Sequence, residues 1–63
     1  MTKKNSKILI DSIELLKKNR DNAMIMMNEK YNSGNIDEYY RMEAYKDGVQ
    51  SSISILENVL NEI

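Results

Sequence analysis

The stretch Tyr31-Asn32-Ser33-Gly34-Asn35-Ile36-Asp37 decides the fold, because it is the one place where helix-breaking residues cluster. Gly34 can adopt the left-handed conformation that closes a helix without steric cost. Asn35 is a favourable N-cap, and Glu38 follows it at the spacing that completes a capping box. The stretch therefore predicts a helix that ends before Gly34 and a second helix that begins after Asn35.

Apolar residues recur at steps of three and four on both sides of this turn, which is the pattern of amphipathic helices. The sequence contains no proline, and no strand-like alternation persists. We expect an all-α antiparallel two-helix hairpin in a single domain, residues 1–63, with a helix at about 6–32, a turn at about 32–35 and a helix at about 36–62. Thr2 or Ser6 could cap the first helix. Lys3 and Lys4 would oppose the helix dipole and so favour the later start.

The turn also predicts which residues face each other across the hairpin. If it centres on Ser33 and Gly34, facing residues have numbers that add up to about 67. Arg20, which lies on the apolar face of the first helix, would then meet Asp47, with Glu43 as the alternative one helical turn away. Met27, Met42 and Tyr45 are expected between the helices, and Met27 is expected to face Tyr40.

The chain is short for an independent domain. A chain of 63 residues buries only ~60% of its unfolded surface, and small scaffolds usually add disulfides, a metal or a second copy. Cysteine and histidine are both absent, which excludes disulfides, Cys or His zinc sites and Cys/His catalysis. Association with another chain is the remaining common route to stability.

Both helices carry more apolar surface than one contact between them can cover. The run from Ala23 to Met27 is apolar all round the first helix, and helices of this kind are normally buried on more than one side. A stripe of small residues on the second helix favours close approach of another helix. We expect a homodimer, a four-helix bundle, with self-association through Ala44, Gly48, Ser52, Ile55 and Val59.

Large adaptable side chains are concentrated near the turn. Tyrosine joins a large apolar area to a polar tip, and methionine recurs on recognition surfaces. The alternative is that these residues fill an irregular core. The sequence predicts a non-enzymatic protein-binding regulator or inhibitor that docks on a larger protein through Met26, Tyr31, Tyr39 and Tyr40.

The charge distribution offers a second hypothesis, an RNA- or DNA-binding dimer. Residues 1–31 carry seven basic and four acidic side chains, and residues 32–63 carry two basic and six acidic side chains. The basic half could contact nucleic acid through Lys7, Lys17 and Lys18. The simpler explanation is that two oppositely charged helices attract each other when packed together.

No residue pattern indicates a reaction or a bound cofactor. Carboxylate pairs such as Glu43 with Asp47, or Glu29 with Glu38, lack the Glu-x-x-His element that bundle metal sites normally add. We therefore expect no enzyme activity, no catalytic residues, no cofactor and no metal.

The longest apolar run, Ala23 to Met27, is far shorter than the ~20 residues that span a bilayer, so we expect a cytoplasmic protein without membrane contact. The small size and composition are typical of phage or mobile-element proteins.

Overall fold

The computed structural model of the chain consists of two helices that pack along each other. Helix α1 spans Lys3–Asn32 and helix α2 spans Ile36–Asn61. The structure describes the backbone of residues 3–62 and the side chains of residues 5–62. The predicted all-α two-helix hairpin is confirmed. Helix α1 begins at Lys3, so Ser6 lies inside the helix and does not cap it, and Thr2 falls outside the described residues.

The turn is a Schellman motif built on Gly34. Gly34 has a φ of 78°, the left-handed conformation predicted for it. The backbone N–H of Asn35 donates to the carbonyl of Lys30 at 2.9 Å, and the N–H of Gly34 donates to the carbonyl of Tyr31 at 3.1 Å. These two bonds satisfy carbonyl groups that the end of α1 would otherwise leave unpaired. Gly34 therefore stops α1 and turns the chain toward α2.

The predicted capping box at the start of α2 is wrong. Asn35 occupies the N-cap position, but its side chain makes no capping hydrogen bond. Its ψ of 77° is well below the β-region values in which an N-cap side chain normally reaches the first amides of the helix. The Glu38 carboxylate also binds elsewhere, because Lys30 Nζ lies 2.8 Å from it.

Among the described residues, four apolar side chains are buried between the helices: Ile13, Ala23, Met27 and Ile53. Ile53 is fully buried, with 0% of its surface exposed. Leucine, methionine and valine side chains at the same three- and four-residue steps extend this contact and are half-buried, namely Leu9, Leu16, Met42, Val49, Leu56 and Leu60. The apolar stripes of the sequence therefore form the core.

Tyr45 does not lie in this core, contrary to the prediction, because it is 50% exposed. Lys46 is half-buried in its place, between the turns of α2 that carry Met42 and Val49. A lysine can cover apolar surface with its aliphatic stem while its ammonium group stays in water. The ammonium group of Lys46 fits this description, because its Nζ lies 3.2 Å from Oδ1 of the exposed Asp47 side chain.

The predicted pairing of Arg20 with Asp47 is also wrong, as is the alternative with Glu43. Arg20 Nη1 donates to Gln50 Oε1 at 2.8 Å, and the rest of the guanidinium binds Asp21 at 3.1–3.2 Å. Asp47 instead points outward, with 64% of its side chain exposed. Long side chains reach about one helical turn along the partner helix, so numbering from the turn predicts neighbours only to within a turn.

Tyr40 does not face Met27 either, because Tyr40 is 61% exposed and Met27 is buried.

The molecule is long and thin, 48 × 14 × 11 Å along its principal axes. Over the described residues, neither α1 nor α2 contains a stretch that is long and apolar enough to cross a membrane.

We predict that Gly34→Ala destabilises the hairpin, whereas D-alanine at the same position does not. A left-handed conformation costs an L-residue about 1–2 kcal/mol, and a Cβ at Gly34 would meet no other atom within 4 Å. Backbone strain is therefore the only cost of the L-alanine side chain to stability. D-Alanine avoids this strain, and it also reduces the conformational freedom of the unfolded chain. Urea unfolding of three synthetic chains measures the difference. Equal stability of the L- and D-alanine forms would contradict the turn described above.

Candidate interaction surfaces

Three tyrosines form a continuous aromatic cluster at the turn end of the hairpin. The ring centroid of Tyr39 lies 5.6 Å from that of Tyr31 and 5.5 Å from that of Tyr40. The rings meet in tilted and edge-on geometries, which aromatic pairs prefer. Tyr31 and Tyr40 are 62% and 61% exposed, and Tyr39 between them is half-buried. We call Tyr31, Tyr39 and Tyr40 the tyrosine cluster.

The structure brings together three of the four residues predicted to bind a partner. Met26 is the exception. It precedes Tyr31 by five residues, which places it about 140° away around α1 at ~100° per residue. Met26 is exposed but belongs to a different side of the hairpin.

Lys30 and Glu38 connect the two helices beside the turn. Lys30 Nζ lies 2.8 Å from Glu38 Oε2. This hydrogen bond, reinforced by the attraction between the charges, holds the pKa of the Glu38 carboxyl below its ordinary value of 4.5. The same bond raises the pKa of Lys30 above 10.5. Both groups remain in contact with water, so the pair adds little to stability and mainly orients the two side chains.

One long side of the hairpin is charged. Arg20, Asp21, Lys46, Asp47 and Gln50 line a groove between the helices on this side together with Met24. Farther from the turn, Lys17 Nζ lies 3.7 Å from Glu57 Oε2. We call this the charged side, and its ion pairs and hydrogen bonds connect α1 to α2.

The opposite long side carries no charge along most of its length. Asn5, Ile8, Leu9, Ser12, Leu56 and Val59 line a second groove there, and helical spacing places further residues on the same side of each helix. We call this the uncharged side, and it comprises Ile8, Ser12, Leu15, Asn19 and Met26 of α1 and Ala44, Tyr45, Gly48, Ser52, Ile55 and Val59 of α2. Among the described residues, charges return on this side only at its ends, with Lys30, Asp37, Glu38 and Arg41 near the turn and Glu62 at the other end.

The uncharged side exposes large apolar groups, and two of its hydroxyls are bonded within their own helix. Leu15 is 60% exposed and Ile55 is 62% exposed. Ser12 Oγ donates to the carbonyl of Ile8 at 2.8 Å, and Ser52 Oγ donates to the carbonyl of Gly48 at 3.1 Å. A partner that covered these serines would therefore leave neither hydroxyl proton without an acceptor.

The five residues predicted for self-association all lie on the uncharged side: Ala44, Gly48, Ser52, Ile55 and Val59. The contribution of α1 to this side, above all Ile8 and Leu15, was missed by the sequence reasoning. Their seven-residue spacing was a usable signal, because residues seven apart lie on nearly the same side of a helix.

The lysines of the nucleic-acid hypothesis do not all share one surface, although Lys7 and Lys18, eleven residues apart, lie within about 20° of each other around α1. Lys17 and Lys18 are consecutive, so they point about 100° apart, and Lys17 lies on the charged side near Glu57. Lys7 Nζ lies 3.4 Å from Asp11 Oδ2. The basic residues of α1 are thus interspersed with carboxylates.

Within residues 3–62, no group of three or more acidic side chains is placed to hold a metal ion. Glu38 and Asp47, which belong to the two carboxylate pairs considered above, form ion pairs with lysines instead. No protein-family profile, no curated protein and no solved structure matches this chain. The tyrosine cluster and the uncharged side are therefore the features from which we infer a function.

We predict that Lys30→Met returns the pKa of Glu38 toward 4.5, which NMR titration of the carboxyl carbon measures. Because folding lowers the pKa of Glu38, the pair stabilises the hairpin above pH 4.5, and this contribution is lost as the pH falls through the lowered pKa. Lys46→Met is the control, because Lys46 contacts Asp47 and should leave Glu38 unchanged. An unaltered titration of Glu38 in Lys30→Met would contradict this assignment.

Proposed function

We propose that this chain is a small non-enzymatic protein that regulates or inhibits a larger protein by docking its tyrosine cluster on it. The observation that supports this most is the contact between three rings, two of them more than 60% exposed. Aromatic residues are enriched among the few residues that carry most of the binding energy at protein interfaces. Ring-to-ring contact also restricts the side chains before binding, so less conformational freedom is lost in the complex.

The charges around the cluster suggest the chemistry of the partner. Asp37 and Glu43 each lie three residues from Tyr40, so their carboxylates flank its ring on the same side of α2. An arginine that stacks on the exposed ring would gain a cation–π contact and could bind a flanking carboxylate. We therefore propose that the partner presents an apolar pocket bordered by arginine.

We also propose that the hairpin acts as a homodimer that forms a four-helix bundle. Only four apolar side chains among the described residues are buried within one chain. The chain exposes 4802 Å², whereas a compact monomer of its mass is expected to expose roughly 4200 Å². A second copy would cover part of this excess.

We predict that Tyr31→Ala and Tyr40→Ala each weaken partner binding at least tenfold, because truncating an interface aromatic often costs ~2 kcal/mol or more. A photo-crosslinking amino acid at Tyr40 first identifies the protein bound in the source cell. Calorimetry with the purified partner then measures the affinity of each variant. Only variants that keep their helicity and dimer mass are compared.

Ile25→Ala is the control, because Ile25 is similarly exposed, at 57%, but belongs to neither the tyrosine cluster nor the uncharged side. It should bind the partner as tightly as the parent chain. If both cluster variants bind normally, the docking proposal is wrong. If Lys18→Ala instead abolishes binding to a nucleic acid in a salt-dependent manner, the nucleic-acid hypothesis replaces it.

We predict that the melting temperature rises with protein concentration in the micromolar range, because folding and association would be linked. Circular dichroism measures the melting curve, and sedimentation equilibrium measures the mass at the same concentrations. A folded monomer with a constant melting temperature over this range would rule out the dimer.

A further inference from the structure

We propose that the uncharged side of the hairpin is covered by the uncharged side of a second copy, with the two copies antiparallel and their turns at opposite ends. In this arrangement α1 packs on α1 of the second copy, and α2 packs on α2. The inference rests on the dimer proposed above and is independent of the tyrosine cluster.

The distribution of charge indicates which side of the hairpin faces the second copy. Pairing through the charged side would remove Lys17, Glu57 and Arg20 from water, and the desolvation of buried ions can exceed their mutual attraction. Pairing through the uncharged side removes exposed isoleucine, leucine and valine from water instead. Its Ser12 and Ser52 hydroxyls keep their hydrogen bonds within the helix.

The area of the uncharged side is sufficient for a specific dimer. From Ile8 to Met26 it covers eighteen residue-to-residue steps, about 27 Å at 1.5 Å per step, and two helices side by side are ~20 Å wide. Covering it would bury roughly 500 Å² on each copy, or about 1,000 Å² in total, which is the lower limit expected of a biological interface.

Charge complementarity at the ends of this side selects the antiparallel orientation. Arg41 lies at the turn end of the uncharged side of α2, and Glu62 lies just beyond its other end. An antiparallel pair with its twofold axis near Ser52 places Arg41 of each copy beside Glu62 of the other. A parallel pair would instead place Arg41 near Lys30 of the second copy, whose charge is already paired with Glu38, so no complementary contact would form between the copies.

The same axis sets large side chains opposite small ones. Along α2, Val59 faces Ala44 of the second copy, and Ile55 faces Gly48. Apart from its chain neighbours and the backbone of the adjacent turns of α2, no atom of the hairpin lies within 4 Å of the position that a Cβ on Gly48 would occupy. Packing within one chain therefore does not require this glycine, although a glycine inside a helix costs ~1 kcal/mol relative to alanine. Ile55 of the second copy would fill that space.

The packing of α1 is consistent with this axis. The twofold axis crosses both helices at the same distance from the turn. Because it passes near Ser52 in α2, it passes near Lys17 in α1. Ile8 consequently faces Met26 of the second copy, so two exposed apolar groups cover each other. Ser12 faces Asn22, whose exposed amide can bond to the second copy.

The first test is a disulfide between copies, which is specific because the chain has no cysteine of its own. Ser52→Cys lies beside its own symmetry mate in the proposed dimer, within the range that a disulfide can bridge. Ser54→Cys is the control, because it points about 160° away around α2. Under mild oxidation Ser52→Cys should form the covalent dimer at least about tenfold faster than Ser54→Cys.

The second test exchanges the two end charges. Arg41→Glu alone should raise the dissociation constant of the dimer about tenfold, because the twofold axis repeats each repulsive contact. Adding Glu62→Arg should return it to near the parent value. Arg41 and Glu62 are separated by ~31 Å along α2, so this rescue can arise only between copies.

The outcomes separate the inference from the proposals on which it rests. A dimer that fails to crosslink through Ser52→Cys, or that the double exchange does not rescue, overturns the antiparallel arrangement but leaves dimerisation standing. A monomer overturns both. Tyr40→Ala should leave the dissociation constant of the dimer unchanged, so failure of the docking proposal would be seen independently.

Discussion

Two helices packed side by side can bury only one side of each, and this geometric limit governs the whole molecule. The contact between α1 and α2 fully encloses Ile53 and buries Ile13, Ala23 and Met27. Every other large apolar side chain among the described residues remains at least partly in contact with water. The sequence nevertheless supplies many more of them, and their positions on the outer surface therefore carry information about what the hairpin binds.

The outer residues are sorted by chemistry along the length of the hairpin. On one long side, ion pairs such as Lys17 with Glu57 connect the two helices, and their charged groups remain in contact with water. The other long side presents Leu15 and Ile55, and Asp11 and Lys18 border it on the outer face of α1. The aromatic rings occupy the turn end, beside the Lys30–Glu38 pair. We propose that these separate surfaces bind a second copy and a different partner.

Much of the fold could be predicted because it depends on local chemistry. Gly34 marks the turn through its backbone freedom, and the three- and four-residue steps identified Met27 and Met42 as residues between the helices. The partner of Arg20 could not be predicted, because several side chains lie within reach of a long guanidinium and the choice depends on rotamers. The absence of an Asn35 cap depends on a ψ angle that the residue type does not fix.

The interaction surfaces were only partly predictable for a related reason. The small and branched residues of α2 were recognised from their spacing, whereas Ile8 and Leu15 joined them only once the groove between the helices fixed which side of α1 lies beside Val59. Tyr31 and Tyr39 are distant enough in sequence that their contact depends on the turn geometry. The sequence pattern therefore predicts each helix, but it does not predict which residues of the two helices lie beside each other.

The central claim is that a second copy covers the uncharged side. Isotope-filtered NMR on a mixture of labelled and unlabelled chains tests it most directly, because it detects only contacts between copies. The antiparallel dimer predicts nuclear Overhauser effects from the methyl groups of Ile55 in one copy to the α-protons of Gly48 in the other. The claim would be contradicted by the absence of any contact between copies at Ile55 and Gly48 in a sample whose diffusion is that of a single chain.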